Sequence, residues 1–182
     1  MDRWEIRFAG FGGQGVISAG YLLARAASIQ DGMNALMTQS YGPEARGGEC
    51  RADVIISDEP IDYPKVVDLD YLIAMSGDAF QGYCNSVRPE GVIFYVEGLV
   101  SPSCDYSGPR TICVPALRVA DELGSRLTVN MVMLGALVEY SGLVDLCKLG
   151  EVVRERFPRH AAVNLKALEK GREAVMNLRI AV

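Results

Sequence analysis

A single histidine stands in the 182 residues, and that scarcity leaves several chemistries poorly supplied. A histidine-ligated metal, a Ser-His-Asp triad and a Cys-His pair all depend on imidazole groups. His160 itself, near a helix start, reads as a solvated residue. Basic residues are also in short supply, since 18 Lys and Arg against 23 Asp and Glu leave a net charge of −5. A nucleic-acid surface built on phosphate contacts needs the opposite balance, so no nucleic-acid partner is expected. The five cysteines, Cys50, Cys84, Cys104, Cys113 and Cys147, include no C-x-x-C. An odd number at wide spacing indicates neither a disulfide framework nor a cluster-ligand motif, and predicts reduced, mostly buried thiols. No apolar run approaches the ~20 residues needed to span a bilayer, so no membrane partner is expected. The stretch Met1-Asp2-Arg3-Trp4-Glu5 lacks a basic region followed by an apolar one, which predicts no signal peptide and a cytoplasmic location. Acidic residues are scattered and mostly next to basic ones, so no carboxylate pair suggests general acid–base work.

What is there fits one well-buried α/β domain over residues 1–182: 49% hydrophobic and 23% charged residues, a globular composition with no linker or repeat. The chain is organised around Ile6-Arg7-Phe8-Ala9-Gly10-Phe11-Gly12-Gly13-Gln14-Gly15-Val16. A short apolar strand, Trp4 to Ala9, runs through four glycines into a helix, Val16 to Gln30, with apolar residues on a helical period. Gly10, Gly12 and Gly15 fit G-x-G-x-x-G. Such a turn either cradles a phosphate on the unpaired N–H groups of the helix start, or is only a tight bend. Asn34 to Thr38 reads as the second strand. It ends in Thr38-Gln39-Ser40, where a dinucleotide site needs an acid for the ribose, and Val16-Ile17 stands where a Walker loop needs Lys and Ser/Thr.

The connection Gln39 to Glu49 is too short for a helical crossover, so the next strand, Ala52 to Ser57, is expected to run antiparallel and make the sheet mixed though mainly parallel. Strands at Tyr71–Ser76, Val92–Val96 and Thr111–Val114 follow, the second of them after a turn at Pro89-Glu90-Gly91. The remainder is helical: Ala116–Leu123, Val129–Tyr140 capped by Thr128, Leu143–Phe157 interrupted near Gly150, and Ala161 to about Leu178. Within the loop, Arg46 followed by Gly47 and Gly48 offers unobstructed guanidinium donors to a phosphate or carboxylate, or pairs with Glu44 or Glu49. Asn130, at the start of an apolar helix, can bond to backbone or to a ligand.

Taken together, four motifs resemble the gamma subunit of 2-oxoacid:ferredoxin oxidoreductases: Gly10 to Val16, Ser40 to Gly48, Val54 to Pro64, and Asn130 to Ala136. Their order and spacing match across nearly the whole chain. The resemblance implies a Rossmann-like three-layer domain and a complex that oxidatively decarboxylates a 2-oxoacid to its acyl-coenzyme A while reducing ferredoxin. It places thiamine diphosphate, magnesium and the iron–sulfur clusters on alpha, beta and delta partners, and coenzyme A in contact with this chain. Gly10, Gly12, Gly13, Gln14 and Gly15 become the expected phosphate cradle. Tyr41, Gly42, Arg46, Gly47 and Gly48 become a loop facing the shared site, with Asn130 beside them. The Tyr-Gly-Pro-Glu-Ala-Arg-Gly-Gly form looks most like 2-oxoglutarate enzymes, with branched-chain ones close behind and pyruvate ones further off. A free-standing Rossmann-type nucleotide-binding protein remains the alternative class.

Overall fold

The computed structural model describes residues 3–30, 32–42, 47–102 and 108–176 of the chain. Six strands, β1 (Arg3–Phe11), β2 (Asn34–Tyr41), β3 (Glu49–Ser57), β4 (Leu69–Ala74), β5 (Val87–Val96) and β6 (Arg110–Val114), form one sheet in the order β2-β3-β1-β4-β5-β6. The helices are α1 (Val16–Ser28), α2 (Gly77–Tyr83), α3 (Ala116–Glu122), α4 (Val129–Ser141), α5 (Leu146–Arg156) and α6 (Ala161–Val175). β1, β4, β5 and β6 are parallel neighbours, while β3 runs antiparallel to both β1 and β2. The expected mixed, mainly parallel sheet is therefore present. The short β2–β3 connection has a further result: β3 is wedged between β2 and β1, so β2 never touches β1.

Strand alternation divides the core into two layers. Ile6 and Phe8 of β1 join α1 and α4 in the larger cluster, whereas Ala9 faces the smaller one with Leu72, Ala74, Ile93 and Phe80 of α2. α4 is buried from Val129 through Val138, as expected of a helix that is apolar all round. It lies against α6 at very close range. A Cβ at Gly135 would run into the backbone of Leu168, and one at Gly171 into the backbone of Val132. Among the described residues no helix is long and apolar enough to cross a membrane.

Several local expectations are corrected. β5 begins at Val87, and the expected turn at Pro89-Glu90-Gly91 is an irregularity inside the strand: Leu69 pairs with Val87, yet Tyr71 pairs with Val92. Thr128 does not cap α4, because its hydroxyl donates to the Ser125 carbonyl at 2.7 Å instead. α5 starts at Leu146 behind Asp145, whose carboxylate accepts from the Cys147 and Lys148 N–H groups. It passes through Gly150 without a break. Of the described cysteines, Cys50 is buried, Cys84 is half-buried and Cys113 and Cys147 are exposed. Cys113 sits on the edge strand β6 and Cys147 on the first turn of α5, which is why they escape burial. Cys104 and the expected helix end near Leu178 lie outside the described residues.

Candidate anion-binding site

β1 hands over to α1 through a turn in which Gly13 and Gly15 adopt positive φ, 95° and 77°. Both angles lie in the left-handed region that only glycine visits cheaply. The turn is braced from within by Gln14. Its Oε1 accepts from the Phe11 N–H at 2.7 Å, and its Nε2 donates to the Met75 carbonyl at 3.0 Å. Gly10 lies in β1, where a Cβ would collide with the Gln14 amide. Gln14 and Gly10 therefore shape the turn. Gly13 and Gly15, by contrast, border open space.

The second loop is tied to the first. The Gly12 N–H donates to the Gly48 carbonyl at 2.9 Å, and the Gly42 N–H donates to the Glu49 carbonyl at 2.7 Å. Gly47 has φ of 71°. Tyr41 is 64% exposed and borders a small cavity of about 110 Å³ with Arg51 and Tyr83. Cys50 also borders it, and burial pushes its thiol above the ordinary range, which makes it a poor nucleophile. Arg46, with Pro43 to Ala45, lies outside the described residues.

Asn130 comes to the glycine turn from the far side. Its Nδ2 donates to the Gly15 carbonyl at 3.1 Å, and the residue is only 4% exposed. Its Oδ1 is buried and without a hydrogen-bond partner, an uncommon state for a polar atom. A cavity of about 250 Å³ opens here. Gly13, Gly15 and Ser18 of the α1 start, Asn130 and Met131 of the α4 start, and His160, Val163 and Asn164 of the α6 start all line it.

Three helix N-termini thus converge on one space. None has a side-chain cap, and none carries an acidic residue in its first turn. Each leaves backbone N–H groups unpaired within the helix and a positive dipole end, so the cavity favours an anion although no lysine or arginine among the described residues lines it. The α1 terminus was legible in the glycine spacing. The α4 start entered only through Asn130, and that of α6 was missed; the signal that could have found the latter is the absence of a good capping residue at His160 and of any acid just after it.

Gly15 carries a double constraint, because a Cβ there would meet strain at φ of 77° and the Asn130 amide at once. Gly15→Ala is therefore expected to lose about 2 kcal/mol, and Gly13→Ala, with open space around its Cβ, only about 1 kcal/mol. Urea midpoints would check this ordering; equal losses would contradict it.

A glycine turn at the carboxyl end of a parallel strand, with helix starts gathered over it, is an α/β arrangement suited to an anion. The chain belongs to the pyruvate ferredoxin/flavodoxin oxidoreductase family, whose model matches residues 5–174. It is 45% identical to the 2-oxoglutarate synthase subunit KorC of Methanothermobacter marburgensis, over 96% of this chain and 97% of that one. Among solved structures, it resembles the keto/oxoacid ferredoxin oxidoreductase gamma subunit of Geobacter sulfurreducens with a TM-score of 0.86 at 36% identity, covering 97% of this chain and 98% of that one. It also matches 2-oxoglutarate:ferredoxin oxidoreductase of Magnetococcus marinus, a structure with 2-oxoglutarate, coenzyme A and succinyl-CoA bound, at a TM-score of 0.87 and 27% identity. That match covers 98% of this chain and 32% of the other. The gamma-subunit resemblance read from the four motifs is thereby established.

Proposed function

We propose that this chain is the gamma-type subunit of a 2-oxoglutarate:ferredoxin oxidoreductase, and that it helps to bind the coenzyme A that receives the acyl group. The observation that carries the reading is the meeting of three uncapped helix starts over the glycine turn. Phosphate groups suit such a site, and the main chain of Gly13 and Gly15 would hold them, the Gly12 N–H being taken by the Gly48 carbonyl. Oxidative decarboxylation itself belongs to the partners: alpha, beta and delta chains would supply thiamine diphosphate, magnesium and iron–sulfur clusters, with ferredoxin as electron acceptor. Among the described residues of this chain, no group of three or more His, Cys, Asp or Glu side chains is placed to hold a metal ion. The 2-oxoglutarate preference rests on identity, 45% to KorC against 35% to a ketoisovalerate oxidoreductase subunit and 31% to a pyruvate synthase subunit.

A free-standing nicotinamide enzyme is the weaker reading. Beside the missing acid after β2, the strand that would carry it is separated from β1 by the whole of β3.

The test is kinetic, in the complex reconstituted from all its subunits. Arg46→Ala is expected to raise the apparent KM for coenzyme A roughly tenfold, the equivalent of one charge-assisted contact, with the KM for the 2-oxoacid unchanged. Gly13→Ala should act in the same direction. An unchanged coenzyme A KM in both variants would reduce the chain to a scaffold, and full activity of the chain alone would overturn the division of labour.

A further inference from the structure

The sheet has two outer strands, and the sequence treats them differently. β6 is five residues long, opens on Arg110 and is stopped by Pro115 directly after Val114. Short length, charge and proline are ordinary defences of an exposed edge. β2, at the other end of the sheet, has none of them. Its eight residues, Asn34 to Tyr41, carry no charge and no proline, and their register with β3 runs unbroken from Asn34–Ser57 to Tyr41–Cys50 without a bulge. Among the described residues β3 is the only strand beside it, and Thr38 to Tyr41 are all exposed. The N–H and C=O groups that point away from β3 therefore form a row spaced to pair with another extended backbone.

A trough lies against this strand on its α1 side. It is a cavity of about 520 Å³ between Ile17 and Tyr21 of α1, Met37 and Gln39 of β2, and Arg156 and Phe157 at the end of α5. Met37 and Gln39 alternate along β2 and so share one face. Side chains of an added strand standing opposite them would lie about 5 Å away and enter the trough. Its walls are largely apolar, and Arg156 is the one charged residue among the described ones that line it. The Arg156 guanidinium lies 5.4 Å from the centre of the Phe157 ring, and among the described residues no carboxylate pairs with it. We infer that β2 is extended, in the assembled enzyme, by a strand of a partner subunit that sets apolar side chains in the trough and a carboxylate on Arg156. In such strand addition the main chain supplies affinity and the alternate side chains supply specificity. The inference rests on the multi-subunit reading above and deepens it by naming a contact surface. A second copy of this chain fits less well, because β2 has no acid to offer Arg156 when two copies meet edge to edge. Ser18 and Phe157 border both the trough and the cavity at the helix starts, so docking and coenzyme A binding have to be separated by measurement.

The experiment is amide hydrogen exchange at residue level, on the chain alone and in the complex reconstituted from all its subunits. In the chain alone the amides of Asn34–Tyr41 should fall into two alternating sets, those bonded to β3 slow and those on the free edge fast. In the complex the fast set should slow by about tenfold or more. Unchanged fast exchange in the complex would overturn the inference. So would a free-edge set already slow in the chain alone: protection that grows with protein concentration would give the edge to a second copy, and protection independent of it to the chain itself. Arg156→Glu, at an exposed site in the last turn of α5, should raise the dissociation constant for the remaining subunits about tenfold, and Arg156→Lys much less. The coenzyme A KM of the assembled Arg156→Glu complex should stay at the parent value. Undiminished assembly of Arg156→Glu would overturn the carboxylate contact, and a raised coenzyme A KM beside it would assign Arg156 to the neighbouring cavity instead. Arg46→Ala and Gly13→Ala without effect on coenzyme A would leave the exchange result standing, so the two readings fail separately. A chain that forms no complex with those subunits would remove both.

Discussion

Alanine at Gly135 or Gly171 is expected to destabilise the chain by about 3 kcal/mol, the upper end for one added carbon in a packed core. In isolation either change should help, because glycine inside a helix is about 1 kcal/mol worse than alanine. Contact reverses the sign. The new methyl at Gly135 would enter the backbone of Leu168, and that at Gly171 the backbone of Val132. Main chain in the middle of a helix cannot turn aside as a side chain can, so α4 and α6 would have to separate. Because each helix carries one glycine and one of the met residues, the contact is reciprocal, and the double variant should lose less than the sum of the singles. Gly82 is the control: it lies in α2 with nothing within 4 Å of its Cβ, and Gly82→Ala should be neutral or mildly stabilising. Denaturant midpoints give all four values. A loss below about 1 kcal/mol at both contact glycines would mean that the helices have room to yield.

The second large effect is expected at Asp53. Arg7 Nε and Nη2 donate to its two carboxylate oxygens at 2.6 and 2.7 Å, and both residues are 8% exposed. The Arg7 guanidinium lies 4.7 Å from the centre of the Tyr83 ring, and Arg51 approaches the same carboxylate at 3.8 Å. Asp53→Ala leaves Arg7 buried with no anion, and removing one partner of such a pair costs about 3–5 kcal/mol. Some of the charge stays stabilised by the ring, so about 3 kcal/mol is expected, or roughly 10 °C in Tm for a domain of this size. Replacing both partners separates the loss of the pair from the cost of the orphan. Arg7→Met with Asp53→Leu should recover most of the loss, to within about 1 kcal/mol of the parent. Thermal unfolding of the three proteins decides it: a double variant as unstable as Asp53→Ala would show that the ion pair itself, not the stranded charge, is what matters.

Periodicity carried the fold a long way. Short β-branched and apolar runs located every strand of the sheet, and the shortness of the Gln39–Glu49 connection was enough to predict an antiparallel β3. Its insertion between β2 and β1 was not legible, because strand order is decided by pairing between segments distant in sequence. Pro89 and Gly91 read as a turn since local chemistry is the same in a turn and in a bulge; only the partner strand tells them apart. The site divides the same way. The G-x-G-x-x-G spacing located the turn, but the roles of Gly10 and Gln14 as internal bracing depend on Met75, some sixty residues on. Asn130 was visible as a polar residue in an apolar helix, and its bond to Gly15 decides between neither of the alternatives open to it, since the amide serves the backbone with one atom and leaves the other unpaired.

No lysine or arginine among the described residues lines the cavity at the helix starts, and this bears on how an anion would arrive there. Helix-end fields fade within about one turn, so a site made of them grips at contact and exerts no pull at a distance. A chain with net charge of −5 meanwhile repels a polyphosphate across the intervening solvent. Encounter would thus be unaided by the chain's net charge, and moderate salt, which shortens the reach of repulsion to about 10 Å at 0.1 M, would leave the close-range grip largely intact. On the coenzyme A reading, such a subunit would retain what is delivered to it, and the speed of delivery would depend on charge supplied at the rim.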